Sequence, residues 1–138
     1  MGAGLAALAS AAPLEERASS NYFAVSNFVY GCTVTCDYSF SVSVVGDQAE
    51  HPSVDTPVTC SGHSGTQKFK KCGRVSDTQS IYAYIDKDSK LQLDYEYHDV
   101  KAGATYNYYG HQHVNTATSG KPQRKNFKVK ESSATGVA

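Results

Sequence analysis

From Tyr22 onward, apolar and polar residues alternate with a period of two, the mark of strands buried on one side only. The clearest run is Asp37 to Val45, where Tyr38, Phe40, Val42 and Val44 point one way and Ser39, Ser41 and Ser43 the other. In Tyr22 to Tyr30 the pattern slips. Phe23 and Val25 share a face, Phe28 and Tyr30 continue it out of phase, and a bulge is predicted near Ser26-Asn27. Gly46 to Pro57 carries turn formers and reads as a loop, Val58 to Cys60 as a short strand, and Ser61 to Gly65 as a turn. Ile81 to Ile85 and Lys90 to His98 form a hairpin joined by Asp86 to Ser89. On its second arm Leu91, Leu93, Tyr95 and Tyr97 oppose Gln92, Asp94, Glu96 and His98. Ala104 to Val114 reads as one strand or a pair, interrupted at Gly110. Thr116 to Gln123 is a loop, Asn126 to Glu131 a last strand with Phe127 and Val129 inward, and residues 132–138 a disordered tail. No long stripe of helical period follows Ala18. About seven to eight short strands separated by turns predict an all-β domain over residues 18–131, a single antiparallel barrel or sandwich.

Composition supports that class and narrows the partners. The chain has 10 Tyr and no Trp, and its other apolar weight lies in Val and Phe, a strand-forming palette. Thirteen Lys and Arg balance thirteen Asp and Glu, so net charge is zero. A broad affinity for nucleic acid or membrane is therefore not expected.

The first residues set the expected compartment. Leu5 to Ala9 is a short apolar run ending in Ala9-Ser10-Ala11, a small-residue pattern that signal peptidase accepts. Residues 1–11 read as a signal peptide truncated at its start, because the positively charged n-region is missing. The run is too short to span a bilayer. Residues 12–17 read as a short pro-segment closed by Glu15-Glu16-Arg17, with the mature chain starting at Ala18. The expected location is secreted and extracellular.

Four cysteines, all between positions 32 and 72, suit a disulfide framework in such a chain. Local pairing, Cys60–Cys72 with Cys32–Cys36, is worth roughly 3 and about 2 kcal/mol by loop entropy. The nested pairing, Cys32–Cys72 with Cys36–Cys60, scores as well, so entropy does not choose. Extended Thr33-Val34-Thr35 would hold the first two cysteines about 13 Å apart. The local pairing, Cys60–Cys72 with Cys32–Cys36, is the one expected, and it needs a hairpin bend directly after Gly31.

Phe23-Ala24-Val25-Ser26-Asn27-Phe28, Gly31-Cys32 and Cys36-Asp37-Tyr38-Ser39-Phe40-Ser41-Val42 resemble the opening strand pair of a fungal secreted family. That family is typified by the major Alternaria allergen and includes plant-cell-death elicitors. Val58-Thr59-Cys60-Ser61 followed by Lys71-Cys72-Gly73 resembles its internal disulfide loop, and Asn126-Phe127-Lys128-Val129-Lys130 its closing strand. The resemblance runs from about Asn21 to Lys130. It implies a β-barrel acting between fungus and host, as allergen, effector or elicitor. It also implies a partner such as a plant thaumatin-like pathogenesis-related protein or a flavonoid-like small molecule. No cysteine precedes Phe23 to link two subunits, so a monomer or non-covalent dimer is expected.

Three constellations remain. His111-Gln112-His113 with His98 offers imidazoles but no carboxylate or thiolate at ligand spacing, and no metal or other cofactor is expected. The tyrosines Tyr82, Tyr84, Tyr95, Tyr97, Tyr106, Tyr108 and Tyr109 suit either a ligand platform or the filling of a barrel wall, with Tyr95 and Tyr97 the candidate binding face. Lys121, Arg124, Lys125, Lys128 and Lys130 lie in one stretch without an acid, and Arg124, Lys125 and Lys128 are the candidate docking residues. Edge lysines also protect against aggregation. No catalytic motif is visible. The expected function is binding of a host protein. A small-molecule barrel and a cell-wall hydrolase stand as alternatives, the first needing a deep pocket and the second two facing carboxylates.

Overall fold

The computed structural model describes residues 21–46 and 48–137; the expected signal peptide and pro-segment lie outside the described residues. Eight strands follow in order: β1 (Tyr22–Cys32), β2 (Cys36–Val45), β3 (Val54–His63), β4 (Lys70–Lys71), β5 (Gln79–Ile85), β6 (Lys90–Asp99), β7 (Ala104–His113) and β8 (Phe127–Val137). Every strand pair is antiparallel, and the spatial order is β3-β2-β1-β8-β7-β6-β5-β4. Sequence neighbours pair throughout, except at β3 and β4. The first and last strands pair as well, through Tyr22 to Val25 with Lys130 to Phe127. The result is a nearly closed up-and-down barrel with one seam, between β3 and β4.

Both disulfides are local and both sit where the ladder needs help. Cys60–Cys72 bridges the seam with a Cα–Cα distance of 4.5 Å, beside a hydrogen bond from the Gly73 amide to the Thr59 carbonyl of 3.0 Å. Cys32–Cys36 ties the β1–β2 turn at 4.0 Å, and the two cysteines are register partners. Thr33 donates its amide to the Thr35 carbonyl at 3.1 Å, which supplies the bend that this pairing requires.

Alternation decides the core. Phe23, Val25, Phe28, Tyr30, Tyr38, Phe40, Val42, Val44, Leu91, Leu93, Phe127 and Val129 are all buried, on the side their pattern predicted. The register slip falls between Ser26 and Val29, where Asn27 takes φ of +54°, a left-handed conformation that asparagine tolerates. It turns Phe28 back inward, into edge contact with Phe127.

Three expectations are corrected. Residues 132–137 are strand rather than a disordered tail, because Thr105 to Tyr109 of β7 offers a free edge that they pair with. β7 runs through Gly110 as one strand in register with β6, and only its ladder with β8 shifts, between Tyr109 and Gly110. A Cβ there would lie 2.9 Å from the Lys130 carbonyl oxygen and 3.2 Å from the Phe23 ring, so the glycine admits that ring to the core. β3 begins at Val54 rather than Val58 and runs on to His63, into the expected Ser61–Gly65 turn, because β2 is long enough to pair Val44 with Val54 and Asp37 with His63.

Candidate functional site

Strand parity divides the tyrosines that the sequence presents as one set. Tyr95 and Tyr108 point inward, stack at 5.9 Å and are buried. Tyr97 and Tyr106 stack at 6.5 Å, half-buried, one register step beyond them. Tyr82, Tyr84 and Tyr109 have the opposite parity and stand on the outside of the barrel. Tyr95 thus offers no surface: its exposure is 0%. Its hydroxyl donates to the Pro52 carbonyl at 2.7 Å and accepts from the Gln79 amide at 3.0 Å. Burial, only partly offset by the Gln79 hydrogen bond, pushes its phenol up to about 12. The expected Tyr95–Tyr97 face is an interior layer.

That layer covers a feature that no sequence motif announces. His51 and Glu131 are 1% and 3% exposed, and His51 Nε2 meets Glu131 Oε2 inside the barrel. The His51 ring lies 4.0 Å from Tyr108 and 5.3 Å from Tyr95. Gly46 packs so closely that a Cβ there would overlap His51 Nδ1. Burial raises the Glu131 carboxyl, and the His51 hydrogen bond and charge counter that rise without cancelling it. Glu131 continues the inward parity of Phe127 and Val129, so the alternation did carry this signal.

On the outside, Asp94 stands in register between Tyr82 on β5 and Tyr109 on β7, yet it is only 8% exposed. Asn107 Nδ2 donates to both its carboxylate oxygens, at 3.0 and 3.3 Å, and to Glu96 Oε2 at 3.4 Å. Burial moves Asp94 up to about 6, with the Asn107 hydrogen bond opposing and the Glu96 charge adding to the rise. The two carboxylates lie side by side on one strand, not facing each other across a cleft as a glycosidic pair would.

Arg124, Lys125 and Lys128 are exposed. Arg124 lies 5.9 Å over the Phe127 ring and Lys128 4.7 Å over Tyr22. Ala24, Val25, Asn126 and Phe127 with Arg124 and Lys128 line an open groove of about 450 Å³. The histidines do not converge, since His98 pairs with Thr105 and His113 with Lys90, at opposite ends of the β6–β7 ladder. Among the described residues no three His, Cys, Asp or Glu side chains are grouped to hold a metal. Comparison with family models, with curated proteins and with solved structures found no match to this chain.

Proposed function

We propose that the protein is an extracellular binding protein of the allergen and elicitor type, one that docks a host defence protein through its outer surface. The observation that carries this reading is the filled interior. Phe23, Phe28, Phe40, Ile85, Leu91 and Leu93 are each 0–1% exposed and form one cluster across the barrel. A partner is therefore met from outside, where the Arg124–Lys125–Lys128 edge borders an open groove. Two disulfides suit an oxidising compartment. The resemblance to the fungal family supports a plant partner, with an acidic thaumatin-like protein the one that complements this edge. A flavonoid-like ligand, the alternative occupant, has the outer Tyr82, Tyr84 and Tyr109 to lie against.

The test is charge reversal, Arg124→Glu with Lys125→Glu and Lys128→Glu. Capture from plant extracellular fluid should fall. Association with the captured partner should slow at low salt, and the difference should shrink as salt rises, with the circular dichroism spectrum unchanged. Unchanged capture and unchanged plant cell death would reduce the basic edge to aggregation protection.

A further inference from the structure

Beyond the last β1–β8 register pair, Val25 with Phe127, the chain that joins β7 to β8 stays bonded to β1. The Phe28 amide donates to the Lys125 carbonyl at 3.0 Å, and the Ala117 amide to the Tyr30 carbonyl at 2.8 Å. Gln123 adds its side chain. Its Nε2 donates to the Tyr30 and Asn115 carbonyls at 2.6 and 2.7 Å, and its Oε1 accepts the Tyr30 amide at 3.4 Å. These bonds fix one wall of a cavity of about 50 Å³. The Phe28 and Phe127 rings, in edge contact at 5.3 Å, supply its apolar lining, and Arg124 and His113 its charged and titratable lining.

We propose that this cavity is the anchor point of the docking edge and takes the carboxylate of an acidic side chain on the partner protein. The assignment rests on the docking reading and names the group that the edge would hold. Size sets the first limit. One water needs about 10–15 Å³ and a whole aromatic ligand fills about 300 Å³ or more, so the space suits a group of a few heavy atoms. Charge sets the second. No Asp or Glu lines the cavity. Among the described residues the ion pairs are His51–Glu131, His63–Asp37 and Arg74–Asp77, so Arg124 meets no carboxylate of its own chain. Its guanidinium, 5.9 Å over the Phe127 ring, carries a fork of donors that matches a carboxylate. The rings set the third limit. A short methylene stem gains by lying against Phe28 and Phe127, whereas an inorganic anion has no apolar part to place there.

The experiment is a titration of the whole chain by nuclear magnetic resonance at constant ionic strength. The probes are N-acetyl-glutamate methylamide, its neutral glutamine counterpart and inorganic phosphate. The glutamate probe should shift the Phe28 and Phe127 ring signals saturably, with the glutamine probe about ten-fold weaker or more. Arg124→Gln should weaken the glutamate probe about ten-fold or more, and His113→Gln about two-fold. Lys125 and Lys128 do not line the cavity, so Lys125→Gln and Lys128→Gln should change binding by less than about two-fold. Capture of the plant partner should also fall further with Arg124→Gln than with Lys128→Gln. No saturable shift, equal binding of the glutamine probe, or tighter binding of phosphate would overturn the proposal. Equal losses from Arg124→Gln and Lys128→Gln would overturn it too, since the attraction would then belong to the whole edge. Probe binding with capture indifferent to Arg124→Gln would assign the cavity to a free acid and remove the anchor. The triple charge reversal judges docking separately. If it lowers capture while no probe binds, docking stands and the anchor falls; if it leaves capture unchanged, docking fails whatever the probes do.

Discussion

Glu131 and Asp94 are the two buried carboxylates of the described barrel, and the chain treats them oppositely. Glu131 lies inside and meets His51, a group that can carry the balancing proton or charge. Asp94 lies on the outer side of β6, nearly covered, and has only a neutral amide, Asn107, shared with a second acid. Burying a charge without an opposite partner is costly. Inside, the fold removes that cost with its own residues, as a structural element must. Outside, the cost persists.

The largest expected effect comes from separating the inner pair. His51→Ala leaves Glu131 alone in the core and should destabilise by about 3–5 kcal/mol, read by denaturant unfolding. Replacing both with leucine should restore much of that loss, because the pair costs nearly as much to desolvate as it returns. A double variant as unstable as His51→Ala would mean the pair contributes more than mutual compensation.

Next comes the pH dependence of the outer acid. Asp94 is raised in the folded state, from 3.8 to about 6. Its stabilising contribution is whole below its unfolded value and is lost as pH rises through about 6. Asp94→Asn should therefore match the parent near pH 3 and exceed it at pH 8, by up to about 3 kcal/mol. Equal pH profiles would show that Asn107 alone satisfies the carboxylate. The smallest effect belongs to the basic edge, where Lys128→Ala removes an exposed cation from the Tyr22 ring. Thermal unfolding should change by less than about 1 kcal/mol. A larger loss would make that edge structural rather than available for docking.

Much of the barrel was legible because each strand alternates cleanly. Asp37 to Val45 and Leu91 to Tyr95 needed no tertiary information, and the slip at Ser26-Asn27 was visible as a change of phase. The end of β8 was not. Ser132 to Val137 is small and polar, with no apolar alternation, and it is strand only because β7 supplies a partner edge. Tyr95 was correctly given an apolar side, but a tyrosine suits an interior layer and a ligand face equally well. The Arg124, Lys125 and Lys128 cluster was plain as charge, and its exposure followed from parity at Lys128.

By itself, then, the sequence determined the class of fold, the inward residues of most strands and the pairing options of four cysteines. These depend on spacing along the chain, which a period of two and a loop length express directly. Tertiary structure decided which cysteine pairing holds, because the bend at Thr33 to Thr35 and the β3–β4 seam bring those sulfurs together. It also decided the meeting of His51 with Glu131, 80 residues apart. The near-burial of Asp94 at an outward-facing position is of the same kind. Alternation tells which side of a strand a residue faces; what lies over that side depends on how the sheet curls and where its loops return.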